Sequence, residues 1–173
     1  MKTNFPICLN VILHHEGGWS SHPCDPGGST MKGITLATFT NFLGRPATEE
    51  ELRNISDAQI YAIYNRNFWN RVDGDRLPTG LDLCVFDMAV NGGVSRAVRM
   101  LQEIVGSAAD GVLGPRTLAA VAEQDVLSLI RQYSEERRRF YKSLKTFPVF
   151  GRGWLRRVNE VEAKAKEMQD DVR

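Results

Sequence analysis

In T-N-F-P-I-C-L-N-V-I-L-H-H-E-G-G, residues 3–18, the apolar residues Phe5, Cys8, Leu9, Ile12 and Leu13 fall at i, i+3, i+4, i+7 and i+8. That is one stripe of a 3.6-residue repeat, so the segment reads as a helix with a single buried face. Thr3 or Asn4 can cap it, and Pro6 lies in the first turn, where its missing donor does no harm. Extended by one position, the stripe reaches Glu16, immediately before Gly17 and Gly18 stop the helix. An acid therefore stands at the end of a core-facing stripe. Partial burial disfavours its charged form, which predicts a carboxyl that keeps its proton to higher pH than usual.

Downstream, residues 17–33 are punctuated by Gly, Pro, Ser and Asp and read as an irregular loop or a short β-hairpin. Helices then resume. Thr35 can cap a helix with Leu36, Phe39, Phe42 and Leu43 on one face, closed by Gly44. Thr48 with Glu51, and Ser56 with Gln59, have capping-box spacing, and the second of these helices turns Ile60, Ile63, Tyr64 and Phe68 inward. Residues 81–90 are apolar almost all round, the mark of a buried central helix. Val94, Ala97, Val98, Leu101, Ile104 and Val105 form another stripe, stopped by Gly106. A short helix opens at Pro115, and long amphipathic patterns follow through Ile130, Tyr133, Phe140 and Leu144, then Trp154, Leu155, Val158, Val161 and Ala165. The expected class is mainly α, with one small irregular or β-hairpin lobe.

Composition narrows the function. A chain of 173 residues with 42% apolar content can bury one core, or a core with a small appendage. Its 22 Lys and Arg against 21 Asp and Glu leave no global footprint for nucleic acid. The last third holds a basic run, Arg137, Arg138, Arg139, Lys142, Lys145, Arg152, Arg156 and Arg157, suited to an anionic polymer or lipid surface; a solvated helix face is the simpler reading. Cys8, Cys24 and Cys84 are odd in number and lack C-x-x-C spacing, which predicts neither a disulfide framework nor a thiolate zinc site. The N-terminal apolar stretch is too short and too interrupted for a secretory signal or a membrane span.

Glu16 and Asp25 are the candidate chemical pair. A glycosidic oxygen leaves poorly unless it is protonated as the bond breaks, so a glycosidase needs one carboxyl that holds a proton beside another that does not. Asp25, nine residues on in a polar Gly-rich loop, is suited to stay ionised. Rival sites are poorly supported. His14, His15, His22 and Cys24 do not make H-E-x-x-H, Asp73-x-Asp75 lacks the remaining ligands of a calcium loop, and neither a phosphate loop nor a G-x-S-x-G elbow occurs. No metal and no cofactor is expected.

The whole run from Glu16 to Thr35, E-G-G-W-S-S-H-P-C-D-P-G-G-S-T-M-K-G-I-T, closely resembles the signature of the glycoside hydrolase family 108 muramidases, E-G-G-[YW], D-x-G-G-x-T and G-I-T. The likeness continues around Trp69, in Asp75 to Gly80 and in V-F-D-M-A-V-N-G-G from Val85 to Gly93. L-Q-E-I-V-G and D-G-V-L-G-P-R-T look like the peptidoglycan-binding region that the family carries at its C-terminus. Trp19 stands where Tyr is commoner, and Met31-Lys32 lies inside the loop.

The resemblance implies a lysozyme-like fold, with residues 1–93 as the muramidase region and 94–173 as a helical peptidoglycan-binding region packed on it, or both as one compact domain. It implies cleavage of the β-1,4 bond between N-acetylmuramic acid and N-acetylglucosamine, with Glu16 as the catalytic residue. By a looser likeness to phage-type lysozymes, Asp25 and Thr30 assist. Trp19, Tyr64 and Trp69 are candidate sugar-stacking rings, and Asn91 is a candidate hydrogen-bond partner for an acetamido group or a helix cap. Asp87 is expected to be buried with a partner. The implied partners are glycan strands, with a holin or a secretion apparatus for delivery of a monomer that is made in the bacterial cytoplasm and acts in the periplasm or at the wall. A lytic transglycosylase and a non-catalytic peptidoglycan-binding secretion factor are the alternatives.

Overall fold

The computed structural model of the chain describes residues 3–21 and 27–172. The described elements are helices α1 (Phe5–His15), α2 (Leu36–Leu43), α3 (Glu49–Arg53), α4 (Asp57–Tyr64), α5 (Leu81–Gly92), α6 (Val94–Ile104), α7 (Pro115–Ala122), α8 (Val126–Lys142) and α9 (Phe147–Asp170), and strands β1 (Trp19–Ser20), β2 (Thr30–Met31) and β3 (Ile34–Thr35). The protein is mainly α with one small antiparallel sheet, the architecture of the lysozyme-like class. The chain divides into two compact units, residues 9–67 and residues 1–8 with 68–173.

In the first unit the sheet runs in the order β1-β2-β3, with Trp19 opposite Met31 and Ile34 opposite Met31 on its other side. The two residues joining β2 to β3, Lys32 and Gly33, both have positive φ, +48° and +77°. This is the backbone of a tight two-residue hairpin, whose twist matches that of the strands it joins. Thr35 caps α2 by accepting from the Thr38 amide, and both capping boxes form as their spacing requires. Ser29 is buried, and its hydroxyl donates to Glu49 at the start of α3 and lies 3.1 Å from the Ser21 hydroxyl.

In the second unit α5 is the axis, with every residue from Leu81 to Ala89 buried and α6, α8 and α9 packed around it. Phe5, Trp69 and Phe86 form an aromatic cluster with centroids 5.3–5.7 Å apart. Two buried acids interrupt this apolar helix. Asp82 accepts from the amides of Gly80 and Leu83 at 2.8 and 2.7 Å and from Asn4 Nδ2 at 2.8 Å. Burial outweighs these bonds and pushes its carboxyl up to about 6. Asp87 accepts from Arg137 at 2.8 Å and from Arg157 at 2.9 and 3.1 Å. Burial opposes its charge, but the two guanidiniums hold the Asp87 carboxyl below the ordinary carboxylate range.

The C-terminal basic run is therefore not a uniformly solvated face. Arg137 and Arg157 are spent on Asp87, Arg138 on Glu162 and Glu135, and Arg139 on Glu136. Cys8 and Cys84 are buried free thiols, and Cys24 lies outside the described residues. Among the described residues no helix is long and apolar enough to cross a membrane.

Candidate active site

Glu16 follows the last residue of α1, and its amide still donates to the Ile12 carbonyl at 3.0 Å, so the backbone enters the site with helical geometry. The side chain is half-buried. Its carboxyl lies directly over Gly33 in the β2–β3 turn: a Cβ on Gly33 would stand 2.9 Å from Glu16 Oε2 and 2.6 Å from the Tyr64 hydroxyl. The missing side chain is what lets the acid, the turn and the tyrosine converge. A residue with a Cβ would also resist φ of +77°. The Tyr64 hydroxyl donates to the Lys32 carbonyl at 2.8 Å, which ties α4 to the same turn. Glu16, Gly33 and Tyr64 thus form one cluster supplied by three elements.

The remaining sequence candidates have varied placements. Thr30 lies half-buried in β2, opposite Ser20 and Thr35. Trp19 in β1 is half-buried, with the Arg53 guanidinium 4.3 Å over its ring, so one face is already covered by a cation. Asp25 lies outside the described residues.

Two of the expected sugar-stacking rings are corrected. Tyr64 is only 1% exposed, so its ring is core, and its hydroxyl alone reaches the site. Trp69 is also 1% exposed; its indole donates to Asp75 at 3.1 Å, and the ring is so closely packed on Gly74 that a Cβ there would fall 2.5 Å from it. The cause is a π-helical turn, Asn65–Trp69, that continues α4 and rotates Trp69 into the Phe5 and Phe86 cluster. Asn91 is exposed, and its Nδ2 donates to the Tyr141 hydroxyl at 2.8 Å. It stands in the second unit, as does Trp69. Gly33 is among the glycines of the Gly-rich loop expected to allow positive φ at the site; the contribution that sequence reasoning missed is Lys32, which completes the turn with it and whose carbonyl accepts from Tyr64. The residues K-G between two short β-prone pairs were the available signal.

A mainly helical chain whose first helix delivers a half-buried carboxyl against a small antiparallel hairpin falls in the class of lysozyme-like glycosidases. Residues 9–93 match the family described as Glycosyl hydrolase 108, and residues 96–159 match the family described as Predicted Peptidoglycan domain. The solved structure of SagA from Brucella abortus is 40% identical, covers 96% of this chain and 95% of its own, and superposes with a TM-score of 0.86. The chain belongs to the glycosyl hydrolase 108 family. No curated protein matches it. Glu16, Gly33 and Tyr64 all fall within the glycosyl hydrolase match.

Proposed function

We propose that the protein is an N-acetylmuramidase, hydrolysing the β-1,4 bond between N-acetylmuramic acid and N-acetylglucosamine with Glu16 as general acid. The observation that carries this reading is the half-buried Glu16 carboxyl fixed over Gly33, within the region that matches the glycosyl hydrolase family. Glu16 gives its proton to the bridging oxygen as the bond to the muramic acid anomeric carbon breaks, and N-acetylglucosamine leaves with a free hydroxyl. Water adds to the oxocarbenium-like centre, and its proton restores Glu16. Asp25 and Thr30 steady the developing positive charge and orient the water. The matched peptidoglycan region holds the chain on its polymer. The protein is made in the bacterial cytoplasm and acts as a monomer in the periplasm or at the wall, delivered by a holin or a secretion apparatus.

Purified sacculi treated with wild type and with Glu16→Gln test the reading. The substitution is near-isosteric but cannot donate the proton, so lysis falls by about 10²–10⁴-fold while the fold persists. Asp25→Asn lowers lysis less. Mass spectrometry of the released muropeptides gives hydrated reducing ends for a hydrolase. Anhydro ends would make the protein a lytic transglycosylase, and undigested sacculi a non-catalytic binding protein or secretion factor. Substantial lysis by Glu16→Gln would remove that residue from the mechanism.

A further inference from the structure

We propose that the turn between α8 and α9 is a peripheral docking surface for an anionic phospholipid leaflet. Between residues 137 and 159 the chain carries eight Lys and Arg and no Asp or Glu. The structure divides these cations into two sets. Arg137, Arg138, Arg139 and Arg157 are consumed by Asp87, Glu135, Glu136 and Glu162. Lys142, Lys145, Arg152 and Arg156 are exposed and make no ion pair among the described residues. Lys142, Lys145 and Arg152 flank one place, the end of the helical hairpin where α8 stops at Lys142 and α9 starts at Phe147, and Arg156 follows Arg152 one turn further along α9.

That same place presents apolar side chains to water. Val149 is 76% and Phe150 54% exposed, the one adjacent pair among the exposed large hydrophobic residues described. Val149, Arg152 and Arg156 follow one another at i, i+3 and i+7 on α9, so the apolar and cationic groups share a helix face. Trp154 is half-buried beside them, 5.7 Å from the Phe150 ring and stacked on Tyr141 at 5.2 Å. A rigid aromatic with one polar edge suits the headgroup boundary of a bilayer.

The combination selects the partner. A soluble polyanion would satisfy the four cations and leave Val149 and Phe150 in water. A lipid surface takes both, burying the apolar pair below the headgroups while the cations meet the phosphates. No described helix can span a membrane, so the contact is peripheral and reversible. This surface is argued independently of the Glu16 chemistry, and it would hold a wall-cleaving enzyme beside the membrane from which the wall is built.

Co-sedimentation of the full chain with vesicles of phosphatidylglycerol and phosphatidylethanolamine in equal parts tests the inference, with phosphatidylcholine vesicles as the neutral arm. Wild type binds the anionic vesicles and not the neutral ones, and added salt weakens binding. Lys145→Gln with Arg152→Gln lowers the partition coefficient about 25-fold, roughly fivefold per charge. Val149→Ser with Phe150→Ser, on side chains already exposed, also releases the protein. Binding shifts tryptophan emission to the blue, and Trp154→Phe abolishes the shift. Glu16→Gln, remote from this surface in sequence and in the other compact unit, binds the anionic vesicles as wild type does, so failure of the docking surface is read separately from failure of the muramidase assignment. Wild type that ignores anionic vesicles overturns the proposal. So does a Val149→Ser, Phe150→Ser chain that binds them undiminished, which would make this face a purely electrostatic contact for a soluble anionic polymer.

Discussion

Gly33 shows how one absent side chain positions a reactive one. The Glu16 carboxyl and the Tyr64 hydroxyl both close on the space where its Cβ would be, and Lys32, with φ of +48°, holds the turn that brings them there. Gly33→Ala therefore does two separable things. It strains a left-handed backbone position, costing about 1–2 kcal/mol of stability, and it displaces the Glu16 carboxyl. Gly44 supplies the control, since it caps α2 at φ of +69° and has open space where a Cβ would stand. Gly44→Ala should lower the melting temperature comparably and leave wall lysis unchanged, whereas Gly33→Ala should cut lysis by about a hundredfold, the effect of an ångström-scale displacement of a reacting group. Equal activity in the two variants would detach Gly33 from the site.

At the scale of elements, legibility follows how local the determining force is. α1 and the two capping boxes could be read because a stripe or a cap is settled within a few residues. α5 could be read because a helix apolar all round has no face to offer water. Trp69 could not be placed, because a π-helical turn adds a residue to the helical count and swings the ring into the core, and nothing in N-R-N-F-W announces it. Tyr64 was readable as inward-facing from its stripe, but the reach of its hydroxyl to Lys32 spans 32 residues and depends on the hairpin. Asp82 is likewise invisible as a buried acid until α1 brings Asn4 to it. Its carboxyl lies at about 6 in the folded chain against 3.8 ordinarily, so between those pH values the folded state binds more proton than the unfolded state. Stability contributed by this group is present below about 3.8 and is lost as pH rises through about 6. Asp82→Asn should flatten that part of the stability profile, measured by urea midpoints from acidic to neutral pH; an unchanged slope would show that Asp82 does not titrate in this window.

Across the whole chain, the two family matches meet between residues 93 and 96, yet a buried ion-pair cluster joins them. Asp87 on α5 lies in the first match, and Arg137 on α8 and Arg157 on α9 lie in the second. All three belong to one compact unit, in which Asp87 is wholly buried and Arg137 is 1% exposed. Two guanidiniums on one carboxylate leave net positive charge in the core, and among the described residues Arg137 Nε has no hydrogen-bond partner. Removing the carboxylate therefore strands a buried cation, a change that costs about 3–5 kcal/mol. Replacing Asp87 and Arg137 together by apolar residues of similar volume removes the desolvation cost along with the attraction, and such exchanges are often neutral or stabilising. Asp87→Leu should thus lower the denaturant midpoint steeply, and adding Arg137→Met should recover much of the loss. A fragment of residues 1–93 leaves Asp87 without either cation and α5 without α6, α8 and α9, so it should not fold alone. Circular dichroism and urea titration of the variants and the fragment decide the matter: a cooperatively folding fragment would mean that the region matching the hydrolase family does not depend on the helices that follow it.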